Sequence, residues 1–186
     1  MADLVTLANV KTYLWPGETI TTWDTILPAI ISAVSEQVKR EVGCDILTAT
    51  YTAAKVSGRG TPMLDLPNWP ITAVASVVDE EGTAYLVGYD EDYVIEDLCL
   101  RRVNGVWPRG SGNFTVTYTA GFTAVPADII LVCYELIARK WKTMKAQEWG
   151  EGSRTFPDGS TGIVNADGAL TKAQREILAK YMRPKL

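Results

Sequence analysis

The chain has 186 residues, 47% of them apolar and 22% charged, a balance that supports a folded core and argues against disorder. It contains no histidine, which removes the usual neutral-pH general base, the Ser–His and Cys–His nucleophile pairs and the commonest zinc ligand. No apolar run approaches the ~20 residues that span a bilayer. The N-terminal "MADLVTLANVKTYL" lacks a basic segment leading into an apolar core, so no signal peptide is expected and synthesis in a cytosol is.

The net charge of −4 is unevenly spread. Residues 1–125 hold 8 basic and 15 acidic side chains, whereas residues 126–186 hold 10 basic and 7 acidic ones. Ends of opposite sign suit head-to-tail contacts between protein copies. The basic segments "ARKWKTMK" and "TKAQREILAKYMRPK" are too sparse, and the pI near 4.9 too low, for a nucleic-acid footprint.

The first predicted element is a helix over 7–14 with Thr6 as N-cap, ended by the "WPG" turn. A second helix is predicted over 24–42, capped by Asp24 or Thr22, with Pro28 in its first turn and Gly43 as its stop. Ile26, Leu27, Ile30, Ile31, Val34, Val38 and Val42 recur at spacings of three and four and give it one broad apolar stripe. Between 46 and 122 the pattern changes to short alternating or β-branched runs punctuated by Gly, Pro and Asp, which predicts a small antiparallel sheet. "DEEGT" reads as a hairpin turn with Gly82 at the position needing positive φ, and Asn104-Gly105 marks a second turn.

A third helix is predicted over 126–148, with Pro126 in its first turn and Ile129, Val132, Cys133, Leu136, Ile137, Lys140, Trp141 and Met144 on one face. Residues 150–169, rich in Gly, Ser and Asp, read as a flexible linker. A terminal helix over 170–186 opens on the capping-box pair Thr171 and Gln174 and stops at Pro184. The expected fold is therefore α+β but mainly helical: an antiparallel helix bundle over 1–149 with a small antiparallel β-sheet insertion, then the linker and the C-terminal helix.

Candidate sites each yield to a plainer reading. Asp90, Glu91, Asp92, Glu96 and Asp97 offer oxygens to a hard cation or to a carboxylate-dependent hydrolase, but the EF-hand spacing is missing and a solvated hairpin edge explains them. "SGRG" (57–60) lacks the full phosphate-loop spacing, and leaves Arg59 as a candidate channel or partner contact. Cys44, Cys99 and Cys133 have no metal-like spacing and read as buried thiols. The six tryptophans read as packing anchors or interface residues. No catalytic residue, metal or cofactor is expected.

The order of parts is more informative than any single site. The strand "VTYTAGF" carries Tyr118, Ala120, Gly121 and Phe122, and leads through a short loop into a helix carrying Pro126, Asp128, Ile129 and Trp141. With the paired N-terminal helices and "LPNWPITAVASV", this arrangement over about 4–145 resembles the head–tail connector proteins of tailed phages, also called adaptor or head-completion proteins. The resemblance implies a homo-oligomeric ring, usually twelvefold in the virion, made in the bacterial host cytoplasm and placed beneath the portal protein. Such a ring extends the DNA channel without sequence-specific binding and gives tail or neck proteins a platform. Acidic excess suits a channel wall of that kind. On this reading Lys172, Arg175, Ile177, Leu178, Tyr181, Met182 and Arg183 are candidate portal or subunit contacts. The alternative is a tail-side neck or tail-completion protein.

Overall fold

The computed structural model describes residues 3–146, 153–155, 161–163 and 169–182. The chain divides into two compact units. One joins the N-terminal segment up to Val42 with Pro126–Met182; the other is built on Gly43–Val125.

In the first unit, α1 (Leu7–Leu14) begins where expected. Thr6 takes an extended conformation and its hydroxyl accepts from the Asn9 amide at 3.3 Å. α2 (Leu27–Val42) starts three residues later than predicted. Residues 22–26 form turns, and Asp24 is drawn away from capping by Lys11, whose Nζ lies 2.8 and 3.1 Å from its two oxygens. Leu27, Ile31, Val34, Val38 and Val42 are buried as one stripe, while Ile26 stays exposed. α3 (Ala127–Ala146) buries Ile129, Val132, Cys133, Leu136, Ile137 and Trp141. α4 (Lys172–Ala179) opens on the complete Thr171–Gln174 capping box and packs on both α2 and α3, with Leu178 fully buried.

The second unit is built of strands. β1 (Ala49–Val56), β3 (Ile71–Asp79), β4 (Ala84–Tyr85) and β7 (Phe114–Ala120) form one antiparallel sheet in the order β1-β7-β3-β4. β2 (Met63–Asp65), β5 (Tyr93–Ile95) and β6 (Cys99–Arg102) form a second, in the order β2-β6-β5. β7 alternates perfectly: Phe114, Val116, Tyr118 and Ala120 are buried, and the residues between them are not. The core joins these side chains to Leu64, Leu66, Tyr93 and Leu100 around Trp107, which is wholly buried and donates from Nε1 to the Leu100 carbonyl at 3.0 Å.

This corrects the expectation of a mainly helical bundle. Among the described residues helix and strand are nearly balanced, at about 32% and 25%, in a plain α+β architecture. The helical periods are the strongest local signal, but the short runs of 49–120 assemble into two sheets with their own aromatic core. That unit is far more than an appendage to a bundle. Within the expected linker, β8 (Ser153–Thr155) pairs antiparallel with β9 (Thr161–Ile163). The rest of 150–168, Trp149 and the expected stop at Pro184 lie outside the described residues.

Candidate assembly surfaces

The motif joining strand to helix turns its chemistry inward. In the second unit Tyr118 is buried and stacks on Tyr51 with ring centroids 5.0 Å apart. Asn68 Nδ2 reaches the Tyr118 hydroxyl at 3.4 Å, and the Tyr51 hydroxyl donates to Asp45 at 3.0 Å. Burial, followed by that bond to Asp45, pushes the Tyr51 phenol well above its ordinary range. Gly121 sits at φ +111°, and a Cβ placed there would lie 2.6 Å from the Leu47 carbonyl oxygen and 2.8 Å from the Thr48 amide nitrogen. Glycine lets the chain leave β7 while Phe122 N donates to Ile46 O at 2.8 Å and Thr48 N donates to Phe122 O at 3.0 Å.

In the first unit, the Pro126 carbonyl accepts from Ile130 N at 3.0 Å and so starts α3. Asp128 Oδ1 accepts from Ile129 N at 3.0 Å and from the Tyr181 hydroxyl at 2.7 Å, which ties the end of the α4 segment to the start of α3. That bond, then burial, raises the Tyr181 phenol to about 12. Ile129 is buried, and Trp141 meets the edges of Trp15 and Trp23 at 5.1 and 6.1 Å.

The candidate contacts of the terminal helix are divided by this packing. Leu178 is buried and Ile177, Tyr181 and Met182 are half-buried, whereas Lys172 and Arg175 face solvent. Lys172 pairs loosely with Glu176 at 3.9 Å and Arg175 with Glu41 at 3.7 Å. Arg183 lies outside the described residues.

Arg59 is exposed and pairs with Asp65 at 3.0 Å. With Ser57, Gly58, Arg109, Gly110 and Ser111 it lines an open hollow of ≈ 580 Å³. The glycine amides in and beside the hollow are engaged within the loop itself. Gly58 N donates to Asn113 Oδ1 at 2.8 Å, Gly110 N to Gly58 O at 3.0 Å and Gly112 N to Ser57 Oγ at 2.8 Å.

The carboxylates of 90–97 do not converge. Asp90, Glu91 and Asp97 are exposed, Glu96 holds Arg101 at 2.6 Å, and Asp92 turns toward Arg102 at 3.4 Å. Among the described residues no group of three or more Cys, Asp or Glu side chains is placed to hold a metal. Cys44 and Cys133 are buried, and burial pushes their thiols up to about 11 and about 12.

One surface escapes sequence reasoning. "TAYLVGY" reads as a strand, but β4 stops at Tyr85, and Leu86, Val87 and Tyr89 stand 58%, 51% and 81% exposed. The Gly88 that interrupts the run and the acidic residues after it were the available signals. On the first unit, Tyr13 and Leu131 are also large, apolar and exposed.

The residues that the sequence singles out are thus divided between buried packing positions and exposed side chains that do not converge. The chain belongs to the head completion protein family, which it matches over residues 3–183. Its place is structural, at the head–tail connection or neck of a phage-type particle. Among curated proteins none matches it significantly. Its fold is similar to that of a chain in the virion of a native gene transfer agent particle (TM-score 0.57, 16% identity, covering 98% of this chain and 91% of that one). It is equally similar to a chain from the neck of an empty gene transfer agent particle computed with C6 symmetry (0.57, 17%, 98% and 91%). A chain from the neck of a native particle computed with C12 symmetry gives 0.50 at 16% identity, over 100% of this chain and 96% of that one.

Proposed function

We propose that the protein acts as a homo-oligomeric ring, twelvefold in the virion, which caps the portal, prolongs the DNA channel and carries the tail or neck proteins. The observation that carries this reading is membership of the head completion family over nearly the whole chain. The fold shared with neck chains solved under sixfold and twelvefold symmetry supports it. The protein works without catalysis or cofactor, and the acidic balance of residues 1–125 suits a wall past which DNA slides without sequence-specific binding. The connector core is residues 1–149, and the segment after it docks on the portal or a neighbouring copy. Because Leu178 is occupied within its own chain, the outward cations Lys172 and Arg175 lead that docking.

The test is the mass of the purified protein, alone and mixed with the portal of its own particle, by light scattering and negative-stain microscopy. A ring of about a dozen copies, or a portal capped by one, is the expected result. A monomer that ignores the portal at high concentration overturns the reading and favours a tail-side neck protein.

A further inference from the structure

We propose that Asn104 is a site of spontaneous covalent change: in the folded protein it is converted, through a cyclic imide closed by the Gly105 amide nitrogen, to aspartate and isoaspartate. The site lies wholly within the second unit and is independent of the ring reading.

The step needs a side-chain amide that can swing onto the next backbone nitrogen, and a nitrogen free to attack. Gly105 meets the second need. It is exposed at φ +87°, a Cβ built there meets nothing within 4 Å, and among the described residues its N–H donates to no acceptor. Glycine brings no side chain to crowd the approach and leaves φ free to turn. Asn104 is exposed as well. Among the described residues only its main-chain carbonyl is engaged, by Arg102 Nε at 3.4 Å, so no bond holds its side chain off the backbone.

The other described asparagines lack this combination. Asn9 lies in α1, where the following amide, Val10 N, donates to Thr6 O at 3.0 Å. Asn68 is tied at both ends of its side chain, to Asp45 N and to the Tyr118 hydroxyl, each at 3.4 Å. Asn113 accepts from Gly58 N at 2.8 Å, donates to Pro108 O at 3.0 Å and precedes buried Phe114. None of the three closes the ring without first giving up such bonds.

The chemistry needs only water and hydroxide, which reach an exposed turn without a histidine. Gly105 N loses its proton to hydroxide and attacks Asn104 Cγ. The N–Cγ bond forms, the Cγ–Nδ2 bond breaks, and the Nδ2 group takes a proton and leaves as ammonia. Water then opens the imide at either carbonyl, its hydroxyl going to carbon and its hydrogen to nitrogen. Opening at the former side-chain carbonyl gives aspartate. Opening at the main-chain carbonyl gives isoaspartate, in which the group that accepts from Arg102 becomes the free carboxylate. Either product adds a negative charge at neutral pH.

The test is ageing of the purified full-length protein at pH 8 in heavy-oxygen water, followed by peptide mapping with mass spectrometry. The peptide holding Asn104 is expected to yield two acidic products of equal mass that carry solvent oxygen and separate on chromatography, while Asn9, Asn68 and Asn113 stay amides. The intact protein gains an acidic form on ion exchange. Asn104→Gln, whose longer side chain closes such a ring poorly, is expected to fold normally by circular dichroism and to lose that form. An Asn104 that stays intact in the native protein, or that changes no faster than Asn113, overturns the inference. So does aspartate as the sole product, which marks direct hydrolysis without an imide.

Discussion

Replacing Gly121 by alanine is the sharpest test of why the strand-to-helix motif exists. At φ +111° an L side chain costs roughly 1–3 kcal/mol in backbone strain alone. The added Cβ also meets backbone rather than a side-chain tip: Leu47 O at 2.6 Å, Leu47 C at 2.7 Å and Thr48 N at 2.8 Å. Neither partner can rotate away, so the edge of β1 must retreat from the β7 exit. That retreat weakens the bonds from Thr48 N to Phe122 O and from Phe122 N to Ile46 O, and the one from Gly121 N to Pro70 O at 2.9 Å. Losing one or two of them adds about 1 kcal/mol each. The sum, about 2–5 kcal/mol, is a large part of the roughly 5–15 kcal/mol that holds an ordinary domain. Urea unfolding followed by circular dichroism should show the midpoint falling by about 1–2 M with the slope unchanged. Below the new midpoint, association should match wild type, because Gly121 is buried against the backbone of Leu47 and Thr48. A loss under about 1 kcal/mol, or impaired assembly from a fully folded variant, would refute the structural account of the motif.

Tyr181 predicts an alkaline transition. Its phenol is raised to about 12 in the folded chain from an ordinary value near 10, so the bond to Asp128 contributes fully below pH ~10 and is lost as pH rises toward 12. Tyr181→Phe should cost about 1–2 kcal/mol near neutral pH and flatten that part of the profile, measured by thermal melts from pH 8 to 12; an unchanged profile counts against the anchor. Cys44 and Cys133, buried and raised to about 11 and about 12, should resist thiol reagents at pH 8 until denaturant is added. Fast labelling of the native protein by mass spectrometry would show that these sites open.

What was legible in the sequence follows the range of the interactions. Thr6 and the Thr171–Gln174 pair act within one turn, so their caps could be read from neighbouring letters. The strands were visible as short β-branched or alternating runs, and β7 most plainly, since each of its side chains takes its face from its own position. Their partition into β1-β7-β3-β4 and β2-β6-β5 was not, because pairings such as Ala49 with Ala120 join residues far apart in the chain. Asp24 looked like a helix cap and became the partner of Lys11, thirteen residues away. Asp128 belongs to the motif, yet its partner Tyr181 lies 53 residues on. The exposed loop was missed for a different reason. Leu86, Val87 and Tyr89 have the composition of a strand, and the bonds of Leu86 and Gly88 to Asp92 and Tyr93, with Arg102 behind Asp92, shape the segment as an exposed loop instead.

The same division explains how the fold can be shared at 16% identity with gene transfer agent chains. The motif residues Tyr118, Ala120, Gly121 and Ile129 face inward or make room for backbone, so each acts on the packing of its own unit. Residues of that kind hold the fold from inside, and the same backbone tolerates wide change where side chains face solvent. The family signature therefore reports architecture and says little about which neighbour each copy grips. Among the exposed segments, Leu86–Asp92 is held from behind: its backbone bonds and the Arg102 clamp constrain its shape, while Leu86, Val87 and Tyr89 stand in solvent.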